Sequence, residues 1–220
     1  MISRMNFNTV AHGMIIALLL GWMTVCVPSG NAGPVMAACC QSPTVATNAV
    51  ETGESVADLA AEWETDSGKK IKLSDLNGRV RVISMFYATC QGVCVITRQD
   101  MQQIEASLSL AARRNVDFIL VTLDPVRDTD ADLRTYRLFQ NLSPRRWTLL
   151  RGDDAATGKL AELLGVSAGR DASGRFIHSS ELVVLDKSGR ILDRYSGPHA
   201  DLSAVVKEIE TAVLSPTKHT

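Results

Sequence analysis

The sequence predicts an α/β fold, a central mixed sheet flanked by helices. Three observations carry that expectation. Two runs of strand length, "RVRVISMFYA" (Arg79–Ala88) and "VDFILVTLD" (Val116–Asp124), are β-branched, aromatic and mostly apolar, as strands covered on both faces should be. Segments with helical spacing of apolar residues alternate with such runs. The C-terminal part reads as a hairpin followed by an amphipathic helix. With 220 residues, 45% of them apolar, the chain has material for one ordinary domain plus appendages. Its net charge is −1 with acids and bases interspersed. No basic stripe invites a polyanion, so nucleic acid is not an expected partner.

The N-terminus is different in kind. Arg4 is the only Lys or Arg before the apolar run "MIIALLLGWMTVCV", Met14–Val27. That run suits a signal-peptide core and is short for a membrane span, which needs about 20 residues. Gly30-Asn31-Ala32 offers the small residues of a cleavage site, and Met36-Ala37-Ala38-Cys39 faintly resembles a lipoprotein box. Residues 1–32 are therefore expected to be a signal peptide or membrane anchor. The expected location is periplasmic, or anchored to the outer face of the inner membrane. Residues 33–58, rich in Gly, Pro, Ser, Thr and Ala, read as a linker that contains the adjacent Cys39 and Cys40. The folded domain is expected over 59–215 and a short tail over 216–220.

Within the domain, "KKIKLSDLNG" predicts a short strand and a turn at Asn77-Gly78. After the Arg79–Ala88 strand, Val95–Arg114 carries apolar residues at Val95, Met101, Ile104, Leu108 and Ala111, which is helical spacing. After the Val116–Asp124 strand, "DTDADLRTYRLFQNL" begins with capping acids and places Leu133, Tyr136 and Phe139 on one face. "RWTLLRG" is a third strand, and "DAATGKLAELLG" is a helix ended by Gly165. A Gly- and Ser-rich loop covers Val166–Gly174. "FIHSSELVVLD" and "RILDRYSG" form the hairpin, and "HADLSAVVKEIETAVL" the terminal helix. The order β-α-β-α-β-α-β-β-α is the thioredoxin-like arrangement with an extra helix and strand in its middle.

The chemistry concentrates in "FYATCQGVC", which ends in Cys90 and Cys94, two of five cysteines in the chain. Cys90 is expected where the strand ends and a helix begins, a place that favours a thiolate. If the helix has started there, Cys94 lies four residues on, on the same face. Such a pair can pass electrons as dithiol and disulfide, or clamp a soft metal. Of the four histidines, His12 lies in the export segment, His219 in the tail and His199 at the start of the last helix. His178 opens the hairpin just after the Gly-rich loop. Alone, it would more often be a hydrogen-bonded structural residue. In a thioredoxin-like fold that loop faces the tip of the first long strand, which would bring His178 toward Cys90 and Cys94. Two thiolates and one imidazole make a soft trigonal set suited to copper as Cu(I) or Cu(II). Zinc would want a fourth ligand. "LDPVRDT" stands at the next strand end. There Asp124 and Asp128 are candidates either for supporting or docking acids, or for a turn and a helix start.

Together these pieces resemble the Sco/SenC copper-chaperone family of thioredoxin-like proteins. The resemblance runs from about Trp63 to Leu214. It rests on "FYATCQGVC", "VTLDPVRDT", "LAELLGV" and "HSSELVVLDKSGRI" in this order. Val95 stands where the family commonly has proline, and Ile177 where it commonly has aspartate. The resemblance implies that Cys90, Cys94 and His178 bind one copper ion. It also implies delivery of copper to the binuclear copper site of cytochrome c oxidase, or reduction of the thiols of that site. The implied partner is the copper-receiving subunit of that oxidase, or another periplasmic copper or thiol protein. A metallochaperone of this kind is not an enzyme. The alternative is a thioredoxin-type thiol–disulfide oxidoreductase in the periplasm, with Cys90 as catalytic thiolate and Cys94 as resolving thiol. Its usual spacing, Cys-x-x-Cys, is one residue shorter. A peroxidase would want proline around Cys90, which the sequence lacks.

Overall fold

A computed structural model of the chain describes residues 55–170, 172, 176–198 and 201–216. The expected export segment, Cys39, Cys40, His12, His199 and His219 lie outside these residues. Among the described residues, no helix is long and apolar enough to cross a membrane.

The domain opens with a 3₁₀ turn over Val56–Asp58, capped by the Ser55 side chain. Val56 is fully buried, and Ser55 bridges to Arg190. One apolar side chain of the segment read as linker thus reaches the core. β1 (Trp63–Thr65) and β2 (Lys70–Ile71) form a small antiparallel pair. A second 3₁₀ turn, Leu73–Leu76, leads into β3 (Val80–Phe86), buried along its whole length. Gly78 holds the turn between them at φ +104°, a conformation open to glycine.

α1 (Val93–Ser107) and the short α2 (Leu110–Arg113) replace the single expected helix. The break is chemical. Leu108 leaves the helix at ψ 144°, and the Ser109 hydroxyl accepts from the Ala112 amide to start a new turn. β4 (Val116–Thr122) pairs parallel with β3 over its full length. α3 (Asp130–Phe139) is capped by Thr129, with Asp132 returning the bond to the Thr129 amide. Its inward face is Leu133, Tyr136 and Arg137, not Phe139, which is 82% exposed. Arg137 takes the core position because Asp66 receives it as a two-armed ion pair, and the Trp147 carbonyl accepts a further bond from it at 2.9 Å.

β5 (Trp147–Arg151) and α4 (Asp154–Leu164) follow, and Gly165 closes α4 in the left-handed conformation. The expected loop then holds β6 (Ala168–Arg170), paired with β7 (Phe176–His178) in a separate two-stranded sheet. The run from Phe176 to Asp186 is thus broken at Ser179-Ser180. The Ser179 amide donates to the Ser167 carbonyl, and the Ser179 hydroxyl accepts from the Ser167 amide. These bonds bind it to the segment leading into β6 rather than to the main sheet. β8 (Glu181–Leu185) and β9 (Ile191–Ser196) complete the hairpin, and α5 (Leu202–Leu214) ends the described fold.

The main sheet has the order β2-β1-β5-β4-β3-β8-β9. β5, β4 and β3 are parallel, and the outer pairings are antiparallel, so the sheet is mixed. Side chains alternate between its faces. Val82, Phe86, Phe118 and Leu120 pack with α1, α3 and α5, while Ile83, Met85, Ile119 and Val121 pack with α4 and the two 3₁₀ turns. Arg81 is buried on β3 and donates to Asn77 Oδ1 at 3.0 Å and to the Asp186 carbonyl at 3.1 Å. Burial lowers its pKa to about 10, so it stays charged at neutral pH. With β3 and β4 central and parallel, their C-terminal ends meet at one edge of the sheet. The crevice of an open α/β sheet lies at such an edge.

Candidate metal centre

The site forms where β3 runs out. After Phe86 the chain turns, and the Cys90 amide donates to the Tyr87 carbonyl at 3.0 Å. α1 starts only at Val93, with Gly92 as its capping residue. Cys90 therefore precedes the helix, and Cys94 sits in its first turn. The two sulfurs meet because the turn folds Cys90 back over the helix start, not because they share a helix face. Their Cα atoms are 6.2 Å apart and the pair is joined as a disulfide. Cys94 is buried, whereas Cys90 is only partly covered and lines an open cleft of about 660 Å³.

His178, at the end of β7, reaches this pair from 84 residues away in sequence. Its Nε2 lies 2.7 Å from Cys94 Sγ. Its Nδ1–H donates to the Ser179 carbonyl at 2.6 Å. A carbonyl oxygen only accepts, so this bond puts the proton of the neutral ring on Nδ1 and leaves the Nε2 lone pair facing the sulfur. Burial pushes the His178 pKa below its ordinary value, and the Ser179 bond opposes that only in part. The Tyr87 ring meets the imidazole edge-on, with centroids 5.9 Å apart.

The ligand atoms of Cys90, Cys94 and His178 all lie within 4.8 Å of one another, so the group could hold a metal ion. The donor chemistry fits a soft ion: two sulfurs once reduced, and one imidazole nitrogen with a free lone pair. A carbonyl holding the distal ring nitrogen is the support that ligating histidines ordinarily have.

Asp128 and Asp124 occupy different places. Asp128 is buried, and its Oδ2 accepts from the Thr122 hydroxyl at 2.5 Å and from the Ala88 amide at 2.8 Å. It fastens the turn before Cys90 to the end of β4. Burial raises its pKa against the lowering effect of those two bonds. Asp124 lines the cleft and ion-pairs with the exposed Arg127 at 3.3 Å, while its carbonyl accepts from the Arg127 and Asp128 amides. It is at once a turn residue and a wall of the cleft.

Sequence reasoning passed over three further residues. Tyr87 stands beside the imidazole. Thr97 on α1 and Ser180 after His178 are both buried, and their hydroxyls are hydrogen-bonded to each other. The doubled serine in "HSSE" was the available signal for the last, but nothing in α1 marks Thr97.

Comparison with known proteins matches the chain to a family. A protein of Stutzerimonas stutzeri described as copper-binding is 24% identical over 127 residues, 56% of this chain and 61% of that protein. The chain thus spans less than two thirds of that relative. Among solved structures, a SCO1/SenC family lipoprotein from Bacillus anthracis superposes with a TM-score of 0.62 at 20% identity, over 69% of this chain and 91% of that one. ScoI of Arabidopsis thaliana, solved with copper bound, gives 0.59 at 18% identity, over 69% and 96%. At these identities the likenesses establish the shared thioredoxin-like fold. A sequence model of SCO1/SenC matches residues 53–214, most of the chain and the whole of the described sheet. This chain belongs to the SCO1/SenC family.

Proposed function

We propose that the protein is a copper-binding chaperone in which Cys90, Cys94 and His178 hold the ion as cargo, as Cu(I) or Cu(II). The observation that carries this reading is the convergence of two sulfurs and an imidazole whose free nitrogen faces them. The copper-binding relatives support it. In the disulfide the sulfurs are poor ligands. A thiol reductant, itself oxidised to a disulfide, supplies the two electrons and two protons that open the bond to two thiols, and copper binding then displaces the thiol protons. Cys94 sits in the first turn of α1, where the helix N-terminus favours negative charge. Asp128 holds the Cys90 turn in place, and Asp124 shapes the mouth through which copper passes.

The receiving partner in this reading is the copper-receiving subunit of cytochrome c oxidase or another periplasmic copper or thiol protein. The protein works after export, either released by cleavage after residue 32 or attached near Cys39 to the outer face of the inner membrane. The lipoprotein among its relatives supports that placement. Metal analysis and copper titration of the reduced protein, beside a Cys90→Ser/Cys94→Ser variant, test the assignment. Stoichiometric copper in the first and none in the second is the expected result. Equal copper in both would end it.

One observation favours the second reading, a thiol–disulfide oxidoreductase. Cys90 faces the cleft while Cys94 is buried. An incoming thiolate would attack Cys90 Sγ, the Cys90–Cys94 bond would break, and Cys94 would leave as thiolate beside His178. Turnover of model disulfides by the reduced protein, abolished by Cys90→Ser, is its test.

A further inference from the structure

We infer that the hydroxyl pair Thr97–Ser180 is a positioning clasp that sets the Cys94–His178 separation. The inference rests on the proposed metal centre and assigns two residues to it. Cys94 and Thr97 are three residues apart on α1 and so share a face, about 4.5 Å apart along the axis. His178 and Ser180 are two apart at the end of β7, and the side chains of both reach α1. The helix and the segment therefore meet in two rungs. The upper rung is Cys94 Sγ to His178 Nε2. The lower rung is Thr97 Oγ1 to Ser180 Oγ.

One proton order satisfies both hydroxyl contacts of the lower rung. In it the single hydroxyl hydrogen of Thr97 goes to the Val93 carbonyl, 3.1 Å away. Both contacts are satisfied together when Ser180 donates and Thr97 accepts. That chain runs from Ser180 through Thr97 to the first residue of α1, next to Cys94 itself. Both residues are more than nine-tenths buried, so neither hydroxyl has water as a substitute.

The clasp matters because the main sheet does not hold His178. Among the described strands, β7 pairs only with β6, in the small separate sheet. Besides the Cys94–His178 contact itself, the Ser180 hydroxyl ties this segment to the helix that carries Cys94. While the disulfide is closed, Cys94 is tied to Cys90. Once it opens, the clasp keeps the imidazole opposite the thiol.

The test uses Thr97→Val, which keeps the β-branched shape and removes the acceptor, with Thr97→Ser as the conservative rescue and Ser180→Ala as the partner change. In the reduced, metal-free protein, an NMR contact between Cys94 β-protons and His178 Hε1 is expected in wild type and Thr97→Ser, and lost in Thr97→Val and Ser180→Ala. Competition against a Cu(I) chelator should show about tenfold or more weakening in both of the latter, as for other supporting partners of metal ligands. In a His178→Ala background, Thr97→Val should add no further loss, because the clasp acts through His178. An undiminished NMR contact in a folded Thr97→Val variant overturns the clasp, whether or not copper binds. An equal affinity loss in the His178→Ala background overturns it as well. Wild type that keeps the contact and takes up no copper removes the copper reading and leaves the clasp standing.

Discussion

Cys94 Sγ and His178 Nε2 lie 2.7 Å apart, with the His178 Nδ1 proton held by the neighbouring carbonyl. In the proposed copper site the imidazole is thereby preset as a ligand before any metal arrives. Replacing His178 with Ala should weaken copper binding by on the order of a hundredfold, the upper end of what a lost supporting partner alone produces. Chelator competition measures it. Unchanged affinity would remove His178 from the ligand set and leave a two-sulfur site.

The oxidised protein should take up no copper tightly, because its sulfurs are bonded to each other. Equilibrium dialysis of the oxidised and reduced forms, with thiols counted in each, compares them directly. Tight binding with no free thiol present would break the coupling between redox state and metal.

His178 also predicts a pH dependence of stability. Its folded pKa is lowered from 6.5, chiefly by burial. Between the lowered value and 6.5 the unfolded chain binds more protons than the folded one, so stability rises with pH across that window and is lost as pH falls through it. Denaturant unfolding of the disulfide form should show this slope below about pH 6.5, and His178→Ala should flatten it. A slope that is the same in both proteins would assign the effect to other groups.

Asp128→Ala should destabilise the fold by roughly 1–3 kcal/mol, because it strands the buried Thr122 hydroxyl and the Ala88 amide. Asp128→Asn keeps an acceptor and should lose less. Chemical unfolding gives both values, and equal stability of all three proteins would mean that water replaces the carboxylate.

Much of this was legible in the chain. The central strands announce themselves by mostly apolar runs rich in β-branched and aromatic residues, since a strand covered on both faces has little polar side to show. Gly165 marked the end of α4, where a left-handed turn needs it. The pairing of thiols with a distant histidine could be anticipated from strand order and motif spacing.

Other features were decided by contacts that no local pattern encodes. Phe139 has the helical spacing of a core residue, yet Arg137 holds the inward position because Asp66, 71 residues away, neutralises it there. The Phe176–Asp186 run looks like one strand, but two serines bind to Ser167 and Thr97 and break it. Cys90 meets Cys94 through a turn fastened by Asp128, not through the helix. Composition and periodicity thus determined which segments become strands and helices, because those preferences act between near neighbours. Only the tertiary structure decided which nitrogen of His178 faces the sulfur and what holds it there, because those depend on groups brought together by folding.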